Sequence, residues 1–137
     1  MPGMVARPRI AIVDDEEPVR RALRRMLGTS LFSVDDFASG QEFLESLRTR
    51  QPDCVLLDLH MPGLNGREVH ARMRQAGIDL PVILMSAHEP VAPRTRSVAE
   101  DAFACLPKPL QRARLLGALE AAIQARPADG RAAADQS

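Results

Sequence analysis

Apolar residues along this chain follow two alternating patterns. Short continuous runs, as at residues 10–13 and 54–57, are typical of strands that are covered on both faces. Between them, apolar residues recur every three or four positions, as in Leu115, Leu119 and Ile123, which indicates helices with one buried stripe. Strands that alternate with helices predict βαβ units around a parallel sheet.

The repeat of these patterns predicts five strands and five helices. We expect strands near residues 10–13, 32–34, 54–57, 81–85 and 103–106. The expected fold class is therefore α/β, a doubly wound five-stranded parallel sheet in the flavodoxin-like order 2-1-3-4-5. One domain is expected over residues 8–125. Residues 126–137 have no large apolar side chain and are expected to form a disordered tail.

Charge and composition narrow the functional classes. Lys and Arg together number 18, as do Asp and Glu, and no basic block is present, so direct nucleic-acid binding is not expected. No apolar run reaches the length of a membrane span, and a cytoplasmic location is expected. The two cysteines, Cys54 and Cys105, lie in apolar stretches and are expected to be buried thiols without a disulfide or zinc site.

Acidic residues follow two of the predicted strands. Asp14 and Asp15 come after the first strand, and Asp58 comes after the third. In the order 2-1-3-4-5 these strands are neighbours, so the three carboxylates should meet at the carboxyl edge of the sheet, where ligands bind in such folds. Clustered carboxylates repel one another unless a cation lies among them, and oxygen ligands favour Mg²⁺ or Mn²⁺.

A hydroxyl and an ammonium group follow the two remaining strands. Ser86 comes after the fourth strand and Lys108 after the fifth, so both should reach the same cleft. Asp58 would then be a nucleophile for phosphoryl transfer, with Ser86 and Lys108 holding the phosphoryl oxygens. A cis peptide bond between Lys108 and Pro109 is a further hypothesis, since cis bonds are rare except before proline.

Five motifs together resemble the receiver domains of response regulators in two-component signal transduction. They are Val13-Asp14-Asp15-Glu16-Glu17-Pro18, Leu57-Asp58-Leu59-His60-Met61-Pro62-Gly63, Asn65-Gly66, Met85-Ser86-Ala87 and Leu106-Pro107-Lys108-Pro109. The resemblance covers most of the chain. In the residues and spacing of its motifs, the chain is similar to receivers of the nitrogen-fixation regulator type, here without the C-terminal DNA-binding half.

The resemblance implies a role for each matching residue. Asp58 would accept a phosphoryl group from a kinase histidine, and Asp14, Asp15, Asp58 and the backbone carbonyl of His60 would hold Mg²⁺. Ser86 and Lys108 would then contact the phosphate, and Ser86 would take part in the conformational switch.

Three further residues in or next to these motifs could affect switching or dephosphorylation. Cys105 stands where receivers usually carry a rotating aromatic residue, so the resemblance does not extend to the aromatic part of the switch. His60 and His88 each lie two positions beyond a site residue, and they either tune dephosphorylation or are silent and exposed.

The expected function is that of a stand-alone phosphorylation switch, an enzyme only in catalysing its own phosphorylation and dephosphorylation. Expected partners are a sensor histidine kinase or phosphotransfer protein and a downstream protein target, bound through the last two predicted helices and the strand between them. Phosphorylation-dependent dimerisation stays open. The alternatives are a phosphorylation-independent binding module, a phosphohydrolase of haloacid-dehalogenase type and a flavin-binding module. The last two are less favoured, because Asp58-Leu59-His60 lacks the second aspartate and no glycine-rich phosphate loop is present.

Overall fold

A computed structural model describes residues 7–28, 31–87 and 102–125 of the chain. Five parallel strands form one sheet in the order β2-β1-β3-β4-β5, which confirms the predicted fold class and strand order. The strands are β1 (Arg9–Val13), β2 (Ser33–Phe37), β3 (Cys54–Asp58), β4 (Val82–Ser86) and β5 (Ala104–Pro107). β2, β4 and β5 each start one residue later than predicted, and β3 and β4 extend to include Asp58 and Ser86.

The described helices are α1 (Glu17–Leu27), α2 (Gly40–Ser46), α3 (Gly66–Gln75) and α4 (Arg112–Ala125). The predicted helix between β4 and β5 and the predicted tail at 126–137 lie outside the described residues. No helix within the described ranges is long and apolar enough to span a bilayer.

The sheet has a separate apolar core on each face. Side chains of α1 and α4, including Leu23 and Leu115, pack against alternate residues of the strands on one face. α2 and α3 contribute Phe43 and Met73 to the core on the other face. Every residue of β3 and β4 is buried, as their continuous apolar runs predict for strands covered from both sides.

Local hydrogen bonds fix where α2 and α3 begin. The sequence Ser39-Gly40-Gln41-Glu42 resembles a capping box and predicts two reciprocal hydrogen bonds at the start of α2. The side chain of Ser39 does accept a hydrogen bond from the backbone N–H of Glu42, but the Glu42 carboxylate accepts from the N–H of Ala38 rather than from that of Ser39. The predicted capping box of α2 is therefore only half formed. A complete capping box, which was not predicted, joins Asn65 and Glu68 at the start of α3.

The two cysteines lie on opposite faces of the sheet, and no disulfide joins them. Cys54 is fully buried in the core beneath α1 and α4, whereas Cys105 is partly buried against the core of the other face. Successive residues of a strand face opposite ways, and β4 separates β3 from β5. The expectation of burial is confirmed for Cys54, whereas Cys105 is less buried than expected because it lies in the edge strand β5.

Candidate functional site

The carboxyl ends of β1, β3, β4 and β5 meet at one edge of the sheet. In the ladder register, Val13 is the partner of Leu57, Asp58 of Met85 and Ser86 of Pro107. The residues that end or follow these strands therefore come together. Asp14, Asp15 and Asp58 each place a carboxylate oxygen within 4.8 Å of the others.

Asp14 is completely buried, and each of its polar groups is hydrogen-bonded. Its backbone N–H donates to the carbonyl of Phe37 at 3.1 Å, and its carbonyl accepts from Nη1 of Arg20 at 2.8 Å. Oδ1 accepts from the backbone N–H of Glu16 at 2.9 Å, and Oδ2 accepts from Nζ of Lys108 at 2.7 Å. A buried carboxylate is tolerated when it is paired in this way, and Asp14 is held in one orientation.

Lys108 supplies the positive charge within the acidic cluster. Besides its bond to Asp14, its ammonium lies 3.3 Å from Oδ2 of Asp58. Burial alone lowers the pKa of Lys108, but the hydrogen bond to Asp14 and the charges of both carboxylates together raise it above its ordinary value. The backbone N–H of Lys108 also donates to the carbonyl of Ser86 at 2.7 Å, and the Lys108–Pro109 bond is cis, as hypothesised.

Asp58 lies at the floor of the cleft and is 3% exposed. Burial raises the pKa of this carboxyl, and the nearby charge of Asp14 raises it further. The hydrogen bond from the backbone N–H of His60 and the charge of Lys108 act in the opposite direction. The N–H of His60 donates to Oδ1 of Asp58 at 3.1 Å.

Close packing behind Asp58 depends on Gly66, the first residue of α3. A Cβ atom built on Gly66 would overlap the carbonyl oxygen of Asp58 and lie 2.9 Å from Cα of Leu59. The N–H of Gly66 also donates to the carbonyl of Leu59 at 3.1 Å. Only glycine lets α3 begin this close to the Asp58 backbone.

Two of the remaining predicted site residues are described, and one is not. Ser86 is buried at the end of β4. His60 is exposed, and its backbone N–H bonds to the carboxylate of Asp58. His88 lies outside the described residues.

The proposed switch position, Cys105, lies within β5 and is half-buried. Burial raises the pKa of its thiol. Phe103, the nearest aromatic residue in the chain, is 43% exposed one residue before β5 begins.

Two residues at this site were missed from the sequence. Arg20 was not identified because its contacts with Asp14 depend on how α1 packs on the sheet. Gly66 is part of the Asn65-Gly66 motif, but its close approach to the Asp58 backbone depends on where α3 packs.

The donor set fits a small divalent cation. It consists of three carboxylates with hard oxygen atoms, two buried and one exposed, within 4.8 Å of one another. Mg²⁺ is typically bound by one or two carboxylates together with water and substrate phosphate. Asp15 and Asp58 could act as direct ligands, and Asp14 could orient a coordinated water.

Comparison with known proteins gives consistent matches. Residues 10–120 match the family model described as the response regulator receiver domain. The response regulator MprA of Mycolicibacterium vanbaalenii is 37% identical over 116 residues, which cover 85% of this chain and 50% of that protein. This chain thus spans about half the length of the curated relatives it matches.

Solved structures agree with that match. A response regulator receiver protein from Burkholderia phymatum is 38% identical, with a TM-score of 0.74 over 86% of this chain and 96% of that one. The response regulator StyR is 33% identical, with a TM-score of 0.82 over 96% of this chain and 67% of that one. Neither relationship tests the finer resemblance to nitrogen-fixation regulators, which stays a prediction.

Proposed function

This chain belongs to the response regulator receiver domain family, and from that premise we propose that Asp58 accepts a phosphoryl group from a phosphohistidine in a Mg²⁺-dependent reaction. The observation that carries the proposal is the position of Lys108. Its ammonium lies 3.3 Å from Oδ2 of Asp58, beside a cluster of three carboxylates. A cation at that point can neutralise an incoming phosphoryl oxygen while Asp58 remains a nucleophile.

In the proposed reaction, a carboxylate oxygen of Asp58 attacks phosphorus and forms an acyl phosphate. The bond between phosphorus and the donor imidazole nitrogen breaks, and its electron pair stays on that nitrogen. Lys108 pairs with one phosphoryl oxygen, and the hydroxyl of Ser86 can donate to another. A bound Mg²⁺ ion would supply further neutralisation of the phosphoryl charge, held by Asp15, Asp58 and the carbonyl of His60, with Asp14 orienting its water.

The same residues connect phosphorylation to a change of shape. The backbone N–H of Lys108 donates to the carbonyl of Ser86 at 2.7 Å, so a hydrogen bond links the ends of β4 and β5. Attraction of both residues to a phosphate would shift the population of conformations at this end of the sheet. Cys105, in the middle of β5, would then transmit the change through backbone movement, because it has no aromatic ring to rotate.

The proposal implies partners of two kinds. A sensor histidine kinase or phosphotransfer protein would supply the phosphoryl group, and a downstream protein would recognise the phosphorylated form. The only reaction catalysed is the chain's own phosphorylation and dephosphorylation, with His60 and His88 proposed to tune the latter. We further propose a cytoplasmic location, and action through protein contacts rather than direct binding of nucleic acid.

The test is phosphorylation by a small donor. The full chain is incubated with acetyl phosphate, with and without Mg²⁺, and its intact mass is measured; beryllofluoride binding is followed by fluorine NMR. Asp58→Asn removes the acceptor, and Asp79→Asn, at an exposed carboxylate, is the matched control. We expect a Mg²⁺-dependent adduct in the wild type and in Asp79→Asn but not in Asp58→Asn. A folded wild type without an adduct would refute the proposal and favour a phosphorylation-independent binding module.

A further inference from the structure

The backbone carbonyl of Asp14 is held by a side chain from outside the acidic cluster. Nη1 of Arg20, in α1, donates to this oxygen at 2.8 Å, and the Arg20 side chain is only 16% exposed. We propose that Arg20 is a positioning residue that fixes the turn formed by Asp14 and Asp15 in the orientation that Mg²⁺ binding requires. This inference rests on the proposed function in taking that turn as metal-binding.

Arg20 is itself oriented by the edge strand of the sheet. Its Nε lies 3.3 Å from Oδ2 of Asp36, a residue of β2 that pairs with Ile12 of β1. The ladder register therefore carries Asp36 alongside the end of β1. Because a guanidinium presents its donors in a rigid planar fork, fixing Nε on Asp36 also fixes the direction of Nη1.

The orientation of the Asp14 carbonyl determines how the side chains of Asp14 and Asp15 are placed relative to each other. This carbonyl lies in the same planar peptide unit as the N–H of Asp15, so rotation of that unit would reorient Asp15 relative to Asp14. The side chain of Asp14 is held separately, by Glu16 and Lys108. A charge-assisted hydrogen bond from Arg20 is stronger than a neutral one and resists this rotation.

Arg24 provides a matched control for the charge of Arg20. It lies one turn further along α1, and its Nη1 contacts the other carboxylate oxygen of Asp36 at 3.2 Å. Within the described residues, no hydrogen bond joins Arg24 to Asp14. Arg24→Met and Arg20→Met therefore remove the same charge from the same acidic partner, but only Arg20→Met releases the Asp14 carbonyl.

The first readout is Mg²⁺ affinity of the full chain, measured by titration calorimetry. We expect Arg20→Met to weaken binding by about tenfold, in the range found when residues that orient metal ligands are removed. Arg24→Met should bind like the wild type. Arg20→Lys keeps the charge without the planar fork and should also weaken binding. Wild-type affinity in Arg20→Lys, or equal weakening in Arg24→Met, would overturn the positioning role in favour of a charge effect.

The second readout needs no metal. The N–H of Glu16 donates to Oδ1 of Asp14, so its hydrogen exchange reports how firmly the turn is held. In metal-free protein, Arg20→Met should exchange this amide about tenfold faster, the factor that corresponds to weakening one charge-assisted bond, and Arg24→Met should not. An unchanged rate in Arg20→Met would overturn the inference. A wild type that fails to bind Mg²⁺ would instead count against the proposed function, while the exchange result still decides the role of Arg20.

Discussion

The ammonium of Lys108 lies 2.7 Å from Oδ2 of Asp14, although 94 residues separate the two in sequence. This ion pair joins the loop after β5 to the end of β1 across the intervening strands β3 and β4. It is almost wholly shielded from solvent, since the Asp14 side chain is 0% and the Lys108 side chain 15% exposed. The pair gives the acidic cluster its internal counter-charge, and we expect the balance of charge at this edge to affect both the stability of the fold and the proposed phosphorylation of Asp58.

Lys108→Met should destabilise the metal-free protein. The substitution leaves the buried carboxylates of Asp14 and Asp58 without a cation, which we expect to cost about 2 kcal/mol of unfolding free energy. Addition of Mg²⁺ should recover part of this loss, because the ion replaces the missing charge. Urea unfolding with EDTA and with Mg²⁺ measures both effects. An equal deficit in the two conditions would mean that Lys108 stabilises the fold by packing alone.

Asp58→Asn should have the opposite effect on the metal-free protein. The pKa of Asp58 is raised, chiefly by burial, so its ionised form is less favourable in the folded state than in the unfolded state. Protonated Asp58 therefore favours the folded state. This contribution to stability is fully present below the pKa of Asp58 in the unfolded state, and it is lost as the pH rises through the pKa in the folded state. Near neutral pH, Asn removes this penalty, and we expect a gain of about 1 kcal/mol, or roughly 4 °C in Tm.

The pH dependence separates this explanation from a simple packing effect. In EDTA, the stability advantage of Asp58→Asn over the wild type should grow as the pH rises from strongly acidic towards neutral. Thermal unfolding across that range measures it. A constant advantage at all pH values would show that ionisation of Asp58 is not its cause. Mg²⁺ should raise the Tm of the wild type more than that of Asp58→Asn, because the variant lacks one of the expected ligands.

The sequence predicts that Asp14, Asp15 and Asp58 lie together, as the structure shows, because their positions depend on where the strands end. Continuous apolar runs mark β3 and β4, which are buried on both faces, and the polar residues that end them must lie at the sheet edge. Contacts that depend on packing between elements were not predictable in this way. The bond from Arg20 to Asp14 requires the position of α1 on the sheet, and the close approach of Gly66 requires that of α3. The capping box at Ser39 is likewise only half formed, because the Glu42 carboxylate accepts from the N–H of Ala38, and sequence spacing alone does not determine this partner.

Gly66→Ala should disturb the packing of α3 against the backbone of Asp58. The added methyl group would overlap the carbonyl oxygen of Asp58, so the start of α3 or the Asp58 backbone must move. We expect a loss of about 2 kcal/mol in stability, as for overpacked positions, together with slower phosphorylation of Asp58. Gly117→Ala is the matched control. Gly117 lies within α4 with no atom within 4 Å of an added Cβ, so this change should stabilise the protein by roughly 0.5–1 kcal/mol through helix propensity.

Urea unfolding and the rate of acetyl phosphate modification test this pair. The prediction requires the two alanine substitutions to change stability in opposite directions and only Gly66→Ala to slow phosphorylation. If Gly66→Ala had wild-type stability, the Asp58 backbone could shift at little energetic cost, which would contradict the tight packing inferred for it.

The thiol of Cys105 should react slowly with alkylating reagents near neutral pH. Burial raises its pKa, so a smaller fraction is present as the reactive thiolate than for an ordinary cysteine at the same pH. Alkylation by iodoacetamide, followed by intact mass from pH 7 to pH 10, should therefore keep accelerating above pH 9. Cys54→Ala is the appropriate background, because it removes the other thiol, which is fully buried. A rate that levels off below pH 8 would indicate an activated thiolate, and would make Cys105 a reactive centre rather than the small apolar side chain of β5 that its surroundings indicate.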